Sequence, residues 1–422
     1  MSTLALEEHK LSPVPDAKFQ TGQASPRVRL DYLDGMRALA AIYVCLFHLT
    51  LTATWTGAHH HVLSELPFGI KHAAEFLRFG HFAVSVFIIL SGYCLMLPAA
   101  VTPGYLLSGG TAKFLWRRTR RIIPPYYAAL TLCLMLALVP GMDRATGARM
   151  DETLPAWEGG AIFSHLLLIQ NWSQAWFFKI NAPAWSVAPE WQIYWLFPFV
   201  LLPMIRRIGM PLTTLVALGF GAATHRYFHG HYDFIGGGFV GLFALGMLGA
   251  TISFSQVPWA NFVRQLLPWG FISAVVATCF VGLIRVHGPE WLETHTWLLD
   301  PVVGVATLGL LISCTRSCAG VLQMVYSSVI IRALQARWLV WFGGLSYSFY
   351  LVHDPVLHVM HRALREFISA PAHMWIALLI VGGPVCVSAA YLFHLAFERP
   401  FMPGHPASAR QASTAAIAAL AP

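Results

Sequence analysis

Of the 422 residues, 57% are hydrophobic and only 11% are charged, whereas a soluble globular chain carries about 25% charged residues. With several long apolar runs, that deficit excludes an ordinary soluble domain and predicts an all-α, polytopic transmembrane bundle. The net charge of +8 then reports basic loops on the cytoplasmic side of a membrane, and no soluble basic face with interleaved aromatics offers itself to nucleic acid.

Residues 1–29 are polar and carry Pro13, Pro15 and Pro26, which predicts a disordered tail and no cleavable signal peptide. Arg27 and Arg29 place that tail in the cytoplasm. The first span is expected over 36–54. It opens on Leu30-Asp31-Tyr32-Leu33-Asp34-Gly35-Met36-Arg37 and carries His48 deep in its apolar run. Helix rise puts His48 roughly 16 Å beyond Arg37, about half of a ~30 Å hydrocarbon core. The separation is nearly three turns, so both side chains share a face, with Asp34 within about a turn of Arg37. Ionisable groups at that depth default to function; the competing reading is a buried histidine satisfied by a neighbouring helix.

His59, His60 and His61 follow. Adjacent residues do not converge on one ion, so a solvated outer loop is expected rather than a metal site. A second span over 82–98 contains Ser91 and Gly92, small enough for close helix contact. The cluster Lys113, Arg117, Arg118, Arg120 and Arg121 comes next. It has two readings: a positive-inside topology signal, or an anion site, since Arg118 and Arg121 share a helical face and guanidinium forks suit phosphate. Pro124 and Pro125 are expected to open a third helix ending near Pro140.

The outer segment 141–189 is rich in tryptophan, and its run 161–169 is too short to span. Trp185-Ser186-Val187-Ala188-Pro189-Glu190-Trp191-Gln192-Ile193-Tyr194 opens a fourth helix that ends at Arg206 and Arg207. Glu190 is either a dipole-favoured N-terminal acid or a catalytic or orienting carboxylate. Further spans are expected at 210–224, 234–253, 266–284, 297–314, 339–360 and 374–396. His225 and His229 have metal-like spacing but no HExxH frame, so no metal is assigned. His353 and Asp354 lie near the middle of the ninth span, where Pro355 frees a carbonyl that they could satisfy. The seven cysteines form no CxxC pair and read mostly as packing residues. Ten spans put both termini in the cytoplasm. Residues 404–422, rich in Ala, Ser and Pro, read as a second disordered tail, and no soluble domain is expected after the last helix.

Six elements in one order carry a resemblance. They are Leu33-Asp34-Gly35-Met36-Arg37 with His48, the segment Phe87 to Tyr93, Arg117 to Pro124, Trp185 to Tyr194, Ser346 to Pro355, and Phe397-Glu398-Arg399-Pro400-Phe401. Over about residues 30–403 the chain resembles the bacterial and fungal membrane acyltransferase-3 family. The family's Arg-x10-His pattern falls on Arg37 and His48, and its Arg-x-x-Arg pattern on Arg118 and Arg121. Its Trp-Ser-x-Ser-x-Glu element falls on Trp185, Ser186 and Glu190, with Ala188 where the family has serine and Pro189 where it has an aliphatic residue.

The resemblance implies transfer of an acyl group, acetyl or another short one, from cytosolic acyl-CoA to a hydroxyl of a cell-surface polysaccharide or lipid-linked sugar. Relatives also acylate small molecules. No permanently bound cofactor is implied. His48 is expected as general base, with Asp34 or Glu190 to orient it. Arg37, Arg118, Arg121, Trp185, Ser186, Tyr194 and His353 are expected to contact substrate. The residues leave two alternatives. A proton-coupled transporter would use His48, Asp354 and Glu190 as a relay, but predicts inverted repeats that the chain does not display. A scaffold without chemistry leaves the Arg37–His48 register unexplained.

Overall fold

The computed structural model describes residues 30–54, 66–139, 157–318 and 325–402. The tails expected over 1–29 and 404–422, Arg27 and Arg29, His59 to His61, and Pro140 with 141–156 lie outside the described residues. Every regular element among those described is helical. In chain order they are α1 (Asp31–Thr54), α2 (Phe68–Phe76), α3 (Gly80–Ala100), α4 (Gly110–Leu136), α5 (Gly159–Leu166) and α6 (Val187–Leu196). Next come α7 (Leu202–Ile208), α8 (Met210–Tyr227), α9 (Gly237–Phe254), α10 (Pro258–Leu266), α11 (Trp269–His287) and α12 (Pro289–Thr294). The last are α13 (Thr296–Cys318), α14 (Val325–Leu334), α15 (Arg337–Gly344), α16 (Ser346–Leu364), α17 (Pro371–Ala377) and α18 (Gly383–Phe393). One-turn π segments, Phe197–Leu201 and Leu378–Gly382, join α6 to α7 and α17 to α18.

Among the described residues, six stretches are long and apolar enough to cross a membrane: Asp31–Thr54, Phe68–Ala100, Gly237–Phe254, Trp269–His287, Thr296–Cys318 and Pro371–Phe401. The protein is therefore a polytopic helical membrane protein. The other four expected spans correspond to α4, α6 with α7, α8 and α16. These form helices, but their polar residues depress the apolar average. α4 holds the basic cluster in its first half. α8 ends on His225 and Arg226, and α16 carries His353, Asp354, His358, His361 and Arg362.

α1 is central. It packs on α3, α15, α16 and α17, while α3 packs along α9 and α13. The α3–α9 contact is close enough that a side chain on Gly92 would land on the Phe243 carbonyl, and one on Gly246 on the Ile89 carbonyl. Small residues permit this backbone approach, as in membrane helix pairs generally. A buried hydroxyl chain ties four helices together: Tyr32 Oη lies 2.7 Å from Thr315 Oγ1, Tyr93 Oη 2.6 Å from that oxygen, and Tyr93 Oη 3.0 Å from Ser253 Oγ.

Three local expectations change. Pro124 and Pro125 do not open a helix; they lie inside α4, which begins at Gly110. Neighbouring helices tolerate interior prolines in a membrane by re-satisfying freed backbone groups. The ninth span breaks at Leu345 (φ −107°, ψ 6°), just after the weak helix formers Gly343 and Gly344, giving α15 and α16. Pro355 sits inside α16 and cannot donate to Leu351. That carbonyl accepts from Asn181 Nδ2 at 2.9 Å, while His353 Nδ1 lies 3.0 Å from the Phe349 carbonyl instead.

Candidate active site

Two cavities are lined by most of the polar side chains that the sequence singles out, with Asp34 and His353 among the exceptions. The smaller, about 170 Å³, is lined by Arg37 from α1, Ser91 and Cys94 from α3, Arg118 and Arg121 from α4, and Glu190 and Tyr194 from α6. Because α4 runs unbroken through the basic cluster, Arg118 and Arg121 keep helical register and both reach the pocket. Arg117, also in register with Arg121, is exposed and donates instead to the Ser108 carbonyl at 3.4 Å. Arg37 Nη1 donates to Asp34 Oδ1 at 2.6 Å, and Nη2 lies 3.0 Å from Cys94 Sγ. Arg118 stacks its guanidinium 5.9 Å above the Phe114 ring, and its buried Nε has no hydrogen-bond partner among the described residues. Three guanidinium groups therefore line a pocket with one carboxylate, Glu190, for which no ion pair is found among the described residues, while Asp34 is engaged by Arg37. That balance suits a polyanion.

Glu190 is held from two sides. Ser91 Oγ donates to its Oε1 at 2.8 Å, and the Tyr194 hydroxyl donates to the same oxygen. The alanine at 188, where a serine was anticipated by resemblance, is fully buried and apolar. The hydrogen bonds that Glu190 receives come from elsewhere, so the substitution leaves the carboxylate anchored.

The larger cavity, about 1440 Å³, is lined by His48, Trp185, His81, Asp300, His225, Asp233 and mostly apolar neighbours. His48 Nδ1 lies 2.9 Å from His353 Nε2, and His353 Nδ1 lies 3.0 Å from the Phe349 carbonyl. These contacts fix the tautomers. A carbonyl only accepts, so His353 Nδ1 carries the proton and its Nε2, in the neutral ring, carries the lone pair. His48 Nδ1–H must then donate to it, which leaves the His48 lone pair on Nε2. His353 itself is fully buried and lines neither cavity.

The structure places His353 against His48, at a position where neither Asp34 nor Glu190 is found in contact with it. Asp34 pairs with Arg37 and lies roughly 21 Å along the helix from His48. Glu190 belongs to the arginine pocket. His353, expected to contact substrate, sits directly behind His48 instead. Trp185 does line the larger cavity and stacks parallel to His81, with ring centroids 6.1 Å apart and planes at 3°. Ser186 Oγ lies 2.7 Å from Tyr350 Oη, which in turn donates to the Pro183 carbonyl at 2.7 Å.

One constellation escaped the sequence reading. His81 Nε2 lies 3.0 and 3.1 Å from the two carboxylate oxygens of Asp300, and Ser85 Oγ donates to Asp300 Oδ1 at 2.7 Å. The residues are 219 positions apart, so no local motif links them. The usable signal was a carboxylate within the apolar run of α13, which is expensive unless partnered. His225, to which no metal is assigned, pairs with Asp233 at 2.7 Å and stacks on Trp297 at 4.5 Å. Among the described residues, no three metal-ligating side chains converge.

A family model describing an acyltransferase domain matches residues 30–395, most of the chain. The chain belongs to the acyltransferase-3 family. It is 26% identical over 398 residues to acyltransferase MdmB of Streptomyces mycarofaciens, covering 89% of this chain and 93% of that one. It is 24% identical over 386 residues to peptidoglycan O-acetyltransferase OatA of Listeria monocytogenes, covering 84% of this chain and 53% of OatA. Staphylococcus aureus O-acetyltransferase OatA is likewise 24% identical over 361 residues, covering 79% of this chain and 51% of that protein. The chain therefore spans about half the length of the OatA relatives. No solved structure matches at a significant level.

An acyltransferase must hold a donor and an acceptor together. In this membrane acyltransferase the arginine pocket and the histidine cavity adjoin, and Val84 and Tyr350 line both. The two sides of that boundary differ in their ionisable groups: three arginines with Glu190 in the smaller pocket, and His48 with the His81–Asp300 and His225–Asp233 pairs in the larger.

Proposed function

We propose that the enzyme moves a short acyl group, acetyl or similar, from cytosolic acyl-CoA to a hydroxyl of a cell-surface polysaccharide or lipid-linked sugar. The observation that carries this reading is the pair of adjoining cavities, one arginine-lined and one holding His48. The CoA phosphates are held by Arg37, Arg118 and Arg121, with guanidinium forks matching phosphate oxygens. The pantetheine arm runs inward past Glu190, Ser91 and Tyr194, whose carboxylate accepts from pantetheine amide N–H groups. The acceptor occupies the larger cavity against Trp185, with Ser186 anchoring the wall between the two substrates through Tyr350.

Chemistry then follows the tautomer. His48 Nε2 takes the proton of the acceptor hydroxyl as its oxygen attacks the thioester carbonyl. The C–S bond breaks, the ester forms, and the CoA thiolate recovers the proton from His48. His353 holds the ring so that Nε2 faces the hydroxyl, and general-base catalysis of this kind is worth about 10²–10⁴ in rate. Sequence charge supports an integral plasma-membrane protein with both termini cytoplasmic, so that the donor enters from the cytosol and the acceptor from the opposite face.

The test is a pair of measurements on purified protein. Wild-type enzyme and His48→Ala bind CoA alike, but the variant loses acyl transfer by the ~10²–10⁴ expected of a general base. Failure of the wild type to bind CoA would remove the donor assignment. Retention of more than a few per cent of activity by His48→Ala would remove the base.

A further inference from the structure

We infer that Tyr350, with Val84, sets the length of the acyl chain the enzyme accepts. The inference rests on the acyl-CoA reading of the arginine pocket. Among the described residues, only these two line both that pocket and the histidine cavity, so they form the wall between thioester and base. Tyr350 is 7% exposed and Val84 5%. The tyrosine ring is pinned: its hydroxyl is bonded to Ser186 Oγ and the Pro183 carbonyl, both at 2.7 Å, and its ring lies 6.1 Å from Phe87 and 5.9 Å from His353.

Volume makes the wall selective. The arginine pocket offers about 170 Å³, well under the roughly 300–1,000 Å³ of ordinary ligand pockets. An acyl group reaching its inner end meets the Tyr350 ring within a few carbons. Beyond that ring lie about 1440 Å³ of mainly apolar space. A short acyl group stops against the ring with its carbonyl at the boundary, where the acceptor hydroxyl on the His48 side attacks it. A longer chain has to displace a ring held by two hydrogen bonds. Removing the ring joins the two spaces and gives a long chain an apolar bed.

The experiment compares binding of CoA, acetyl-CoA, butyryl-CoA and octanoyl-CoA to the full-length protein in detergent, for wild type, Tyr350→Ala, Tyr350→Phe and Val84→Phe. Wild-type affinity is expected to stop rising, or to fall, beyond the shortest chains. In Tyr350→Ala it rises by up to roughly fourfold per methylene, the value for burying that group. Tyr350→Phe keeps the ring but loses both hydrogen bonds that pin it, so its profile should fall between those of wild type and Tyr350→Ala. Val84→Phe thickens the same wall from α3 and sharpens rejection of butyryl-CoA, which tests the idea even if the alanine variant does not fold. CoA binding with one chain-length profile across wild type and the folded Tyr350→Ala or Val84→Phe variants overturns the assignment while leaving the donor reading intact. Absence of CoA binding to the wild type overturns both.

Discussion

His353→Leu isolates what the imidazole behind His48 contributes. The substitution keeps an apolar body in a fully buried site and removes the acceptor 2.9 Å from His48 Nδ1. Two losses follow. The hydrogen bond that selects the tautomer is worth about 1 kcal/mol, with up to ~1.5 in reach, so the ratio of base-competent to idle tautomer falls by roughly five- to tenfold and the base-competent population by a few-fold. The ring also loses its fixed bearing, and a 1 Å misplacement at a reacting centre can cost about 10²-fold. Together the rate of acyl transfer should drop by ~10²–10³. CoA affinity should not change, because the arginine pocket contains neither histidine. His353→Gln restores an acceptor oxygen near the position of Nε2 and should recover most of the loss, which a packing role alone would not produce. The assay is transfer of radiolabelled acetyl from acetyl-CoA into the envelope fraction, with CoA affinity and thermal unfolding measured on the same preparations. If the leucine variant, still folded, works within threefold of wild type, the tautomer argument is wrong.

Arg118→Ala should weaken CoA binding by about 10–100-fold, as expected for a charged hydrogen bond of ~1.5–3 kcal/mol, and the wild-type affinity should fall with salt; equal affinity in variant and wild type would reduce the cluster to a topology signal. Asn181→Ala takes the donor from the Leu351 carbonyl that Pro355 cannot serve. It should lower stability by about 1–3 kcal/mol with little effect on CoA affinity, read as a shift in thermal midpoint. In vesicles with uniformly oriented enzyme, acetyl-CoA supplied on the side facing Arg37 should acylate acceptor on the other side. Product formed only when both substrates share a compartment would contradict the sidedness.

What the sequence disclosed was what periodicity and charge can carry. Arg37 and His48 lie on one helix, so their shared face follows from residue spacing, and Arg118 and Arg121 reach one pocket for the same reason. Glu190 was marked as unusual by its place at an apolar helix start, but its partners Ser91 and Tyr194 were not assigned to it. Contacts across long separations were not legible. His48 meets His353 over 305 positions and His81 meets Asp300 over 219, and helical pattern says nothing about which helices become neighbours. Tyr350 was invisible for another reason: an aromatic in an apolar run is ordinarily core, and its position between two cavities exists only once the helices are packed.

The hydroxyl chain through Tyr32, Thr315, Tyr93 and Ser253 lies toward the Arg37 end of the bundle, near the start of α1 and the ends of α3, α9 and α13. The opposite ends of these four helices border the 1440 Å³ cavity. The bundle is therefore mechanically lopsided. At the clasped end, parting any two of the four helices breaks a bond in a medium that offers no water to replace it. At the other end the same helices part around the cavity, and the tie found there, His81 and Ser85 of α3 on Asp300 of α13, must yield before those two helices can splay about the clasp as levers do about a fulcrum. On the acyl-CoA reading proposed above, that splay would admit acceptors of different bulk while the arginines of the smaller pocket keep their spacing.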